Sequence, residues 1–249
     1  MALKTTLNYS PNFSPKKRNR NQIKFLIFHY TGMKSETAAE KRLTNIKSQV
    51  SSHYLIKTNG KIITLVPDLY IAWHAGKSMW KNYEYLNKYS IGIEITNPGH
   101  SFVYKKFSKF QILSLIKLSK LLMKKYNITY KNILGHSDIA PNRKKDPGEK
   151  FPWKHLSKKK IGFWHVLKKD SLQRVRNLKI QDNEKNIFFQ NLSKIGYSIE
   201  FQKNLKYNKT KFLKNITKAF QRRFRQELIN GIVDKECLNI SENLVKKIH

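Results

Sequence analysis

Two histidines and an aspartate lie where a metal site could form. His29 ends an apolar run at residues 23–29, and His136 follows a short strand-like segment at residues 132–134. Asp146 comes ten residues after His136. Open α/β sheets bind their ligands beyond the carboxyl ends of strands. Two imidazoles and a carboxylate are a suitable ligand set for Zn²⁺ with water in the fourth position, although this spacing also occurs by chance and a lone histidine is commonly a core residue.

Glu94 and Lys144 would add the groups that a metal hydrolase needs beside its metal. Glu94 lies in the alternating run 91–96, on the face opposite the isoleucines. A carboxylate there would act as general base for a metal-bound water; otherwise it belongs to the polar face of a half-buried strand. Lys144 precedes Asp146 by two residues, so in an extended segment both side chains point the same way. Its ammonium would stabilise a developing oxyanion, unless it is one more solvated lysine.

Trp73 and His74 form a third candidate feature. They are followed directly by Ala75 and Gly76. An aromatic ring beside a histidine and two small residues suits a groove floor on which a sugar or peptide packs closely. The alternative interpretation is a buried turn without a ligand.

Strand-like and helical segments alternate over the residues that would position these groups. Residues 53–57 and 62–66 flank an Asn-Gly pair, which is the strongest short signal for a β-hairpin. A helix is predicted over residues 108–126, where Ser108 and Gln111 have the spacing of a capping box. This alternation predicts an α/β (α+β) fold with a mixed central β-sheet flanked by helices.

The composition divides the chain into four parts. Residues 1–22 are polar and basic and predict an N-terminal extension along the surface, whereas residues 23–167 predict the domain that carries the metal site. Residues 168–184 are rich in charged and amide side chains, which is typical of a linker. Residues 185–249 predict a small all-α domain, because apolar residues recur at helical spacing at Phe212, Ile216, Ala219, Phe220 and Phe224.

The charge of the chain is extreme. Its 249 residues include 50 Lys and Arg against 16 Asp and Glu, a formal net charge of +34. This charge predicts attraction to polyanions such as nucleic acid, an anionic membrane or a cell-wall polymer. However, 41 of the basic residues are lysines, whereas base readout favours arginine. Specific nucleic-acid recognition is therefore disfavoured, and a compositional drift of the whole proteome would explain the lysines equally well.

Two further observations exclude or favour broad classes. The single cysteine, Cys237, excludes an intrachain disulfide and a multi-cysteine zinc site. The sequence contains no apolar run near the ~20 residues that span a bilayer. Residues 1–20 lack the apolar stretch of a secretory signal, which favours the cytoplasm unless a signal has been removed or export uses another route.

Five segments, in this order, resemble the type 2 N-acetylmuramoyl-L-alanine amidases, the group of AmiD and AmpD. They are FHYT at 28–31, SHYLI at 52–56, AWHAG at 72–76, SIGIE at 90–94 and GHSDIAPNRKKDPG at 135–148. The resemblance covers about residues 20–166. It implies a zinc hydrolase that cuts the amide bond between the lactyl group of N-acetylmuramic acid and the L-alanine of the stem peptide. Peptidoglycan or muropeptide fragments are then the expected partners.

The resemblance also implies a role for each candidate residue. By position, His29, His136 and Asp146 match the zinc ligands, Glu94 the general base, Lys144 the transition-state stabiliser, and Trp73 and His74 a substrate-groove motif. Related recognition proteins and phage amidases typically have cysteine as the third ligand. Asp146 therefore places the chain on the bacterial side of this group.

A second resemblance concerns the C-terminal part. Residues 192–197 and 216–224, with Gly231 after them, are similar to the three-helix peptidoglycan-binding domain. This resemblance implies binding to the cell wall and a location in the envelope or periplasm. The alternative is a basic helical bundle without such a ligand, or one that binds nucleic acid.

Three other functions remain open at this point. The first is a non-catalytic peptidoglycan-recognition protein, which would be expected to lack at least one metal ligand. The second is a basic nucleic-acid-binding protein or metal nuclease, whose affinity for DNA would fall steeply with salt. The third is a zinc peptidase that cuts within the stem peptide.

Overall fold

A computed structural model describes residues 3–199 and 208–248. Over these residues the strands are β1 Thr6–Leu7, β2 Phe13–Ser14, β3 Phe25–Tyr30, β4 Tyr54–Ile56, β5 Ile62–Thr64, β6 Ile71–Ala72, β7 Met79–Trp80, β8 Tyr83–Glu84, β9 Ser90–Ile95 and β10 Ile133–Gly135. The α-helices are α1 Glu36–Thr44, α2 Lys109–Tyr126, α3 His136–Ile139, α4 Trp153–Lys158, α5 Lys169–Val175, α6 Asp182–Ile195, α7 Lys209–Phe224 and α8 Lys235–Lys246.

Six of these strands form a central mixed sheet in the order β1-β5-β4-β9-β3-β10. The pair β4–β5 is antiparallel, and the other neighbours are parallel. Strands β3 and β9 lie in the middle and are buried over most of their length, as the continuous apolar sequence of β3 predicts for a strand covered on both faces. The predicted fold class is confirmed.

Local sequence signals explain the hairpin and the long helix beside the sheet. Gly60 has a φ of +83° in the turn between β4 and β5, and a Cβ there would lie 2.9 Å from the carbonyl oxygen of Phe110, so the turn needs glycine. Helix α2 begins after Ser108, whose side chain accepts from the Gln111 N–H while the Gln111 side chain accepts from the Ser108 N–H. Both predictions are confirmed.

The N-terminal segment takes a larger part in the fold than the predicted surface extension. Strand β1 adds an edge to the sheet by parallel pairing with β5, and β2 pairs with β6. Arg18 is buried, and its guanidinium donates to the main-chain carbonyl of Asp68. Edge pairing of this kind uses backbone groups, so a polar segment without apolar periodicity gave no signal for it. Residues 1 and 2 lie outside the described part.

The C-terminal helices pack against the sheet region. The predicted linker, residues 168–184, contains α5, and its Leu172 is buried. The predicted apolar stripe of α7 is buried and belongs to the same continuous apolar core as strand β3. Residues 200–207 of the predicted helical domain lie outside the described residues, and the domain boundaries and wall binding of this part stay predictions. No helix in the described residues is long and apolar enough to span a bilayer.

Candidate metal centre

Three neighbouring elements bring the predicted ligands together. His29 is the penultimate residue of β3, and His136 is the first residue of α3, directly after β10. Because β3 and β10 are parallel neighbours, these two histidines lie at the same edge of the sheet. Asp146 comes from the loop after α3, and a hydrogen bond of 2.8 Å from the Ser137 N–H to the Asp146 carbonyl holds that loop against the helix.

The three side chains converge on one buried point. The Nδ1 atoms of His29 and His136 are 2.9 Å apart. The Oδ2 atom of Asp146 lies 3.1 Å from Nδ1 of His29 and 3.0 Å from Nδ1 of His136. All three residues are buried, and within the described part of the chain they form the one group of His, Cys, Asp or Glu side chains that could hold a metal ion together.

The protonation of these groups makes the cluster suitable for a cation. Nε2 of His136 lies 3.1 Å from the carbonyl oxygen of Ala75 and donates to it, so that the neutral form of this ring has its lone pair on Nδ1, towards the centre. Burial lowers the pKa of His29 to about 4, which leaves its ring neutral at pH 7. Although burial opposes ionisation of Asp146, the two imidazoles hold the pKa of its carboxyl well below the usual range. Two ring nitrogens and a carboxylate oxygen therefore meet at one point, and a bound metal would take the lone pair of each.

Glu94 stands beside this group on the neighbouring strand. It is paired in register with His29 across β3 and β9. The residue is partly exposed to the pocket, but its Oε2 atom is buried and has no hydrogen-bond partner. Burial and the nearby Asp146 carboxylate raise the pKa of Glu94 to about 8, against the opposing charge of Lys144. Such a carboxyl is poised to accept and return a proton near neutral pH.

A pocket of about 430 Å³ opens over the cluster. Lys144 is half-buried and lines this pocket together with Glu94, Asp146 and Trp73. The arrangement places a cation and a carboxylate beside a candidate metal position. An aromatic side chain lies along the wall where a ligand would pack. The pocket therefore holds the components of metal-assisted hydrolysis in one place.

Comparison with known proteins agrees with this geometry. The family model described as N-acetylmuramoyl-L-alanine amidase matches residues 19–149. The chain is 35% identical to N-acetylmuramoyl-L-alanine amidase AmiD of Escherichia coli over 238 residues, which is 91% of this chain and 83% of that protein. The chain belongs to the N-acetylmuramoyl-L-alanine amidase family. The family and the amidase activity predicted from the sequence are thus confirmed.

Solved structures show a similar fold over most of the length of this amidase. A complex of E. coli AmiD with anhydro-N-acetylmuramic acid-L-Ala-D-gamma-Glu-L-Lys superimposes with a TM-score of 0.77 at 34% identity, covering 91% of this chain and 90% of that one. AmpDh3 of Pseudomonas aeruginosa, in complex with anhydromuramic pentapeptide, gives a TM-score of 0.77 at 30% identity, with 94% of each chain covered. AmpD of Haemophilus influenzae is 34% identical over 58% of this amidase and 85% of its own length.

Trp73 and His74, the two predicted groove residues, both line the pocket. The His74 ring is also largely buried, and its Nδ1 lies 3.0 Å from Nε2 of His29. Sequence reasoning missed this contact, and it also missed Asn87. Its Oδ1 accepts from the N–H groups of His74 and Ala75, at 3.1 and 2.7 Å. A lone asparagine gives no sequence signal for such a contact.

Proposed function

We propose that this amidase uses Zn²⁺, held by His29, His136 and Asp146, to hydrolyse the bond between N-acetylmuramic acid and L-alanine in muropeptides. The observation that carries the proposal is the convergence of two ring nitrogens and a carboxylate oxygen within about hydrogen-bond distance of one another, in a buried site. Neutral imidazoles and an ionised carboxylate are the forms that bind zinc. The complexes of AmiD and AmpDh3 with anhydromuropeptides support the substrate class.

Each catalytic group then has a defined task. When bound, zinc supplies a Lewis acid that lowers the pKa of a water molecule and polarises the substrate carbonyl. Glu94 takes a proton from the attacking water and returns it to the departing nitrogen of L-alanine. Lys144 directs its ammonium towards the oxygen on which negative charge develops. Trp73 offers an aromatic face to the sugar or the peptide.

The competing functions predict different site compositions. A recognition protein that has lost its metal would be expected to lack at least one ligand, whereas His29, His136 and Asp146 are all present and converge. A nuclease or a nucleic-acid-binding protein would need a basic surface matched to phosphates, and the general lysine excess of the chain is not specific evidence for one. The amidase assignment is therefore the one that the geometry supports best.

Metal analysis and product analysis together test the proposal. We expect one zinc per chain in the purified protein, and release of free stem peptide from an anhydromuropeptide as identified by mass spectrometry. The variant His136→Ala should lose both the metal and turnover. The variant His155→Ala is a matched control, because His155 is exposed on α4. Full zinc content in His136→Ala, or cleavage within the stem peptide, would contradict the proposal.

A further inference from the structure

We propose that His74 is a positioning residue that fixes the tautomer of the His29 ring, so that Nδ1 of His29 presents its lone pair to the metal. The inference rests on the proposed function, in which His29 is a zinc ligand. It assigns to His74 a contact with the metal ligand His29, in addition to its place in the lining of the pocket. A series of hydrogen bonds runs from the main-chain carbonyl of Leu86 through Ser90 and His74 to His29.

The direction of donation in this series of hydrogen bonds is set at Ser90, the residue next to the main-chain carbonyl. The hydroxyl of Ser90 lies 2.5 Å from the carbonyl oxygen of Leu86. A carbonyl oxygen only accepts, so the single hydroxyl proton of Ser90 points towards Leu86. Nε2 of His74 lies 3.2 Å from the same hydroxyl oxygen. With its proton committed to Leu86, Ser90 accepts from His74, and the His74 proton is on Nε2.

The same polarity continues to the metal centre. A neutral His74 ring with its proton on Nε2 has a lone pair on Nδ1, which lies 3.0 Å from Nε2 of His29. His29 therefore donates from Nε2 and keeps a lone pair on Nδ1. The reversed chain would leave the Leu86 carbonyl without the Ser90 proton. It would also place the His29 proton on Nδ1, at the position needed by the metal, between Nδ1 of His136 at 2.9 Å and the accepting carboxylate oxygen of Asp146 at 3.1 Å.

Strand β9 is built to hold the His74 ring in this position. Ser90, Gly92 and Glu94 alternate with isoleucines and lie on one face of the strand. A Cβ at Gly92 would lie 2.4 Å from Cγ of His74, so the ring packs directly on the glycine backbone. The loop that carries His74 is held by the side chain of Asn87. Three consecutive residues of this face thus bind the ring, make room for it, and supply the candidate base.

Zinc affinity of designed variants tests the inference. His74→Phe keeps a ring but removes the acceptor, and we expect its zinc dissociation constant, measured by chelator competition, to rise about 10- to 100-fold, as for other partners of metal-ligating histidines. His74→Asn keeps an acceptor oxygen near the position of Nδ1 and should recover most of that loss. Zinc affinity of His74→Phe within twofold of the wild type would overturn the inference. An equal loss in both variants would overturn it too, because it would indicate a packing role alone.

A second measurement does not depend on zinc. In the zinc-free protein, ¹⁵N NMR of the histidine rings should show the His29 proton on Nε2, although the Asp146 carboxylate lies 3.1 Å from Nδ1 and offers a competing acceptor there. Ser90→Ala, a small change that preserves the shape of the strand, should give a mixture of tautomers at His74 and His29. An unchanged His29 tautomer in both Ser90→Ala and His74→Phe would refute the inference. Absence of zinc from the wild type would instead refute the proposed function, so the two failures are distinguishable.

Discussion

Glu94→Gln should stabilise the metal-free protein against unfolding while it abolishes turnover. The Glu94 carboxyl has a pKa of about 8 in the folded protein against an ordinary value of 4.5, mainly because of burial. Between these values the folded state holds a proton that the unfolded state has released. The free energy of unfolding of the wild type therefore falls as pH rises through this window. A glutamine does not titrate and is free of this penalty.

The size of this stability difference follows from the shift in the pKa of Glu94. Each pH unit in the window changes the free energy of unfolding by about 1.4 kcal/mol. From pH 4.5 to pH 7 the stability of Glu94→Gln relative to the wild type should rise by up to about 3 kcal/mol, with exposure of the carboxylate to the pocket reducing the gain. Because the neighbouring groups are common to both proteins, the difference between them isolates the contribution of Glu94.

Urea denaturation with a chelator present, at several pH values from 4.5 to 8, measures this difference. Zinc-loaded samples of the same proteins should show zinc retained in Glu94→Gln and turnover of a muropeptide lowered by about 10²- to 10⁴-fold, the range for loss of a general base. If the free energies of unfolding of the two proteins differ by the same amount at every pH, the argument that burial raises the pKa of Glu94 is refuted. Near-normal turnover would refute its assignment as the base.

Three other substitutions give separate expectations. Lys144→Met should lower kcat by about 10²- to 10³-fold through loss of the cation at the developing oxyanion, and Lys158→Met, at an exposed lysine of α4 outside the pocket, is the matched control in turnover assays. Arg223→Met should cost about 3–5 kcal/mol in urea unfolding, because it leaves the buried carboxylate of Asp138 without its ion-pair partner; a loss below 1 kcal/mol would contradict this. Gly92→Ala should displace the His74 ring and weaken zinc binding about 10-fold in chelator competition, and unchanged affinity would contradict the packing argument.

Much of the metal centre could be predicted because its signals are local. The apolar run of β3 ends at His29, and the alternation of β9 places Glu94 on one face. Both signals follow from strand geometry and need no knowledge of the neighbours. The capping box of α2 and the Asn-Gly turn are equally local. The parallel register of β3 and β9 then brings His29 and Glu94 side by side.

The features that were missed depend on contacts between distant segments. The contact of His74 with His29 depends on Gly92 and Asn87, which lie on other elements, and a Trp-His-Ala-Gly segment has the same local pattern with or without a metal ligand beside it. The N-terminal strands pair through backbone groups, which leave no side-chain pattern. The contacts of the C-terminal helices with the sheet region could not be predicted either. The amphipathic sequence of a helix shows which face is buried but not which apolar surface it packs against.

One of these contacts links the C-terminal helices to the metal centre. Asp138 follows His136 by two residues on the short helix α3 and is buried there. Its carboxylate accepts from the Gly135 N–H at 2.7 Å, from the Tyr197 hydroxyl at 2.8 Å and from the guanidinium of Arg223. Loss of any of these donors would leave the buried carboxylate less well compensated and would lower the stability of the fold.

Arg223 also binds the strand that leads into this helix. Its guanidinium donates to the carbonyl oxygen of Ile133 at 2.9 Å and lies over the ring of Trp153. The Arg223 side chain from α7 thus joins the first residue of β10 to α3, the helix that begins with His136. The position of a candidate metal ligand is therefore fixed partly by residues about 60 to 90 positions further along the chain. On this evidence the C-terminal helices contribute to the integrity of the metal centre, whether or not they also bind the cell wall.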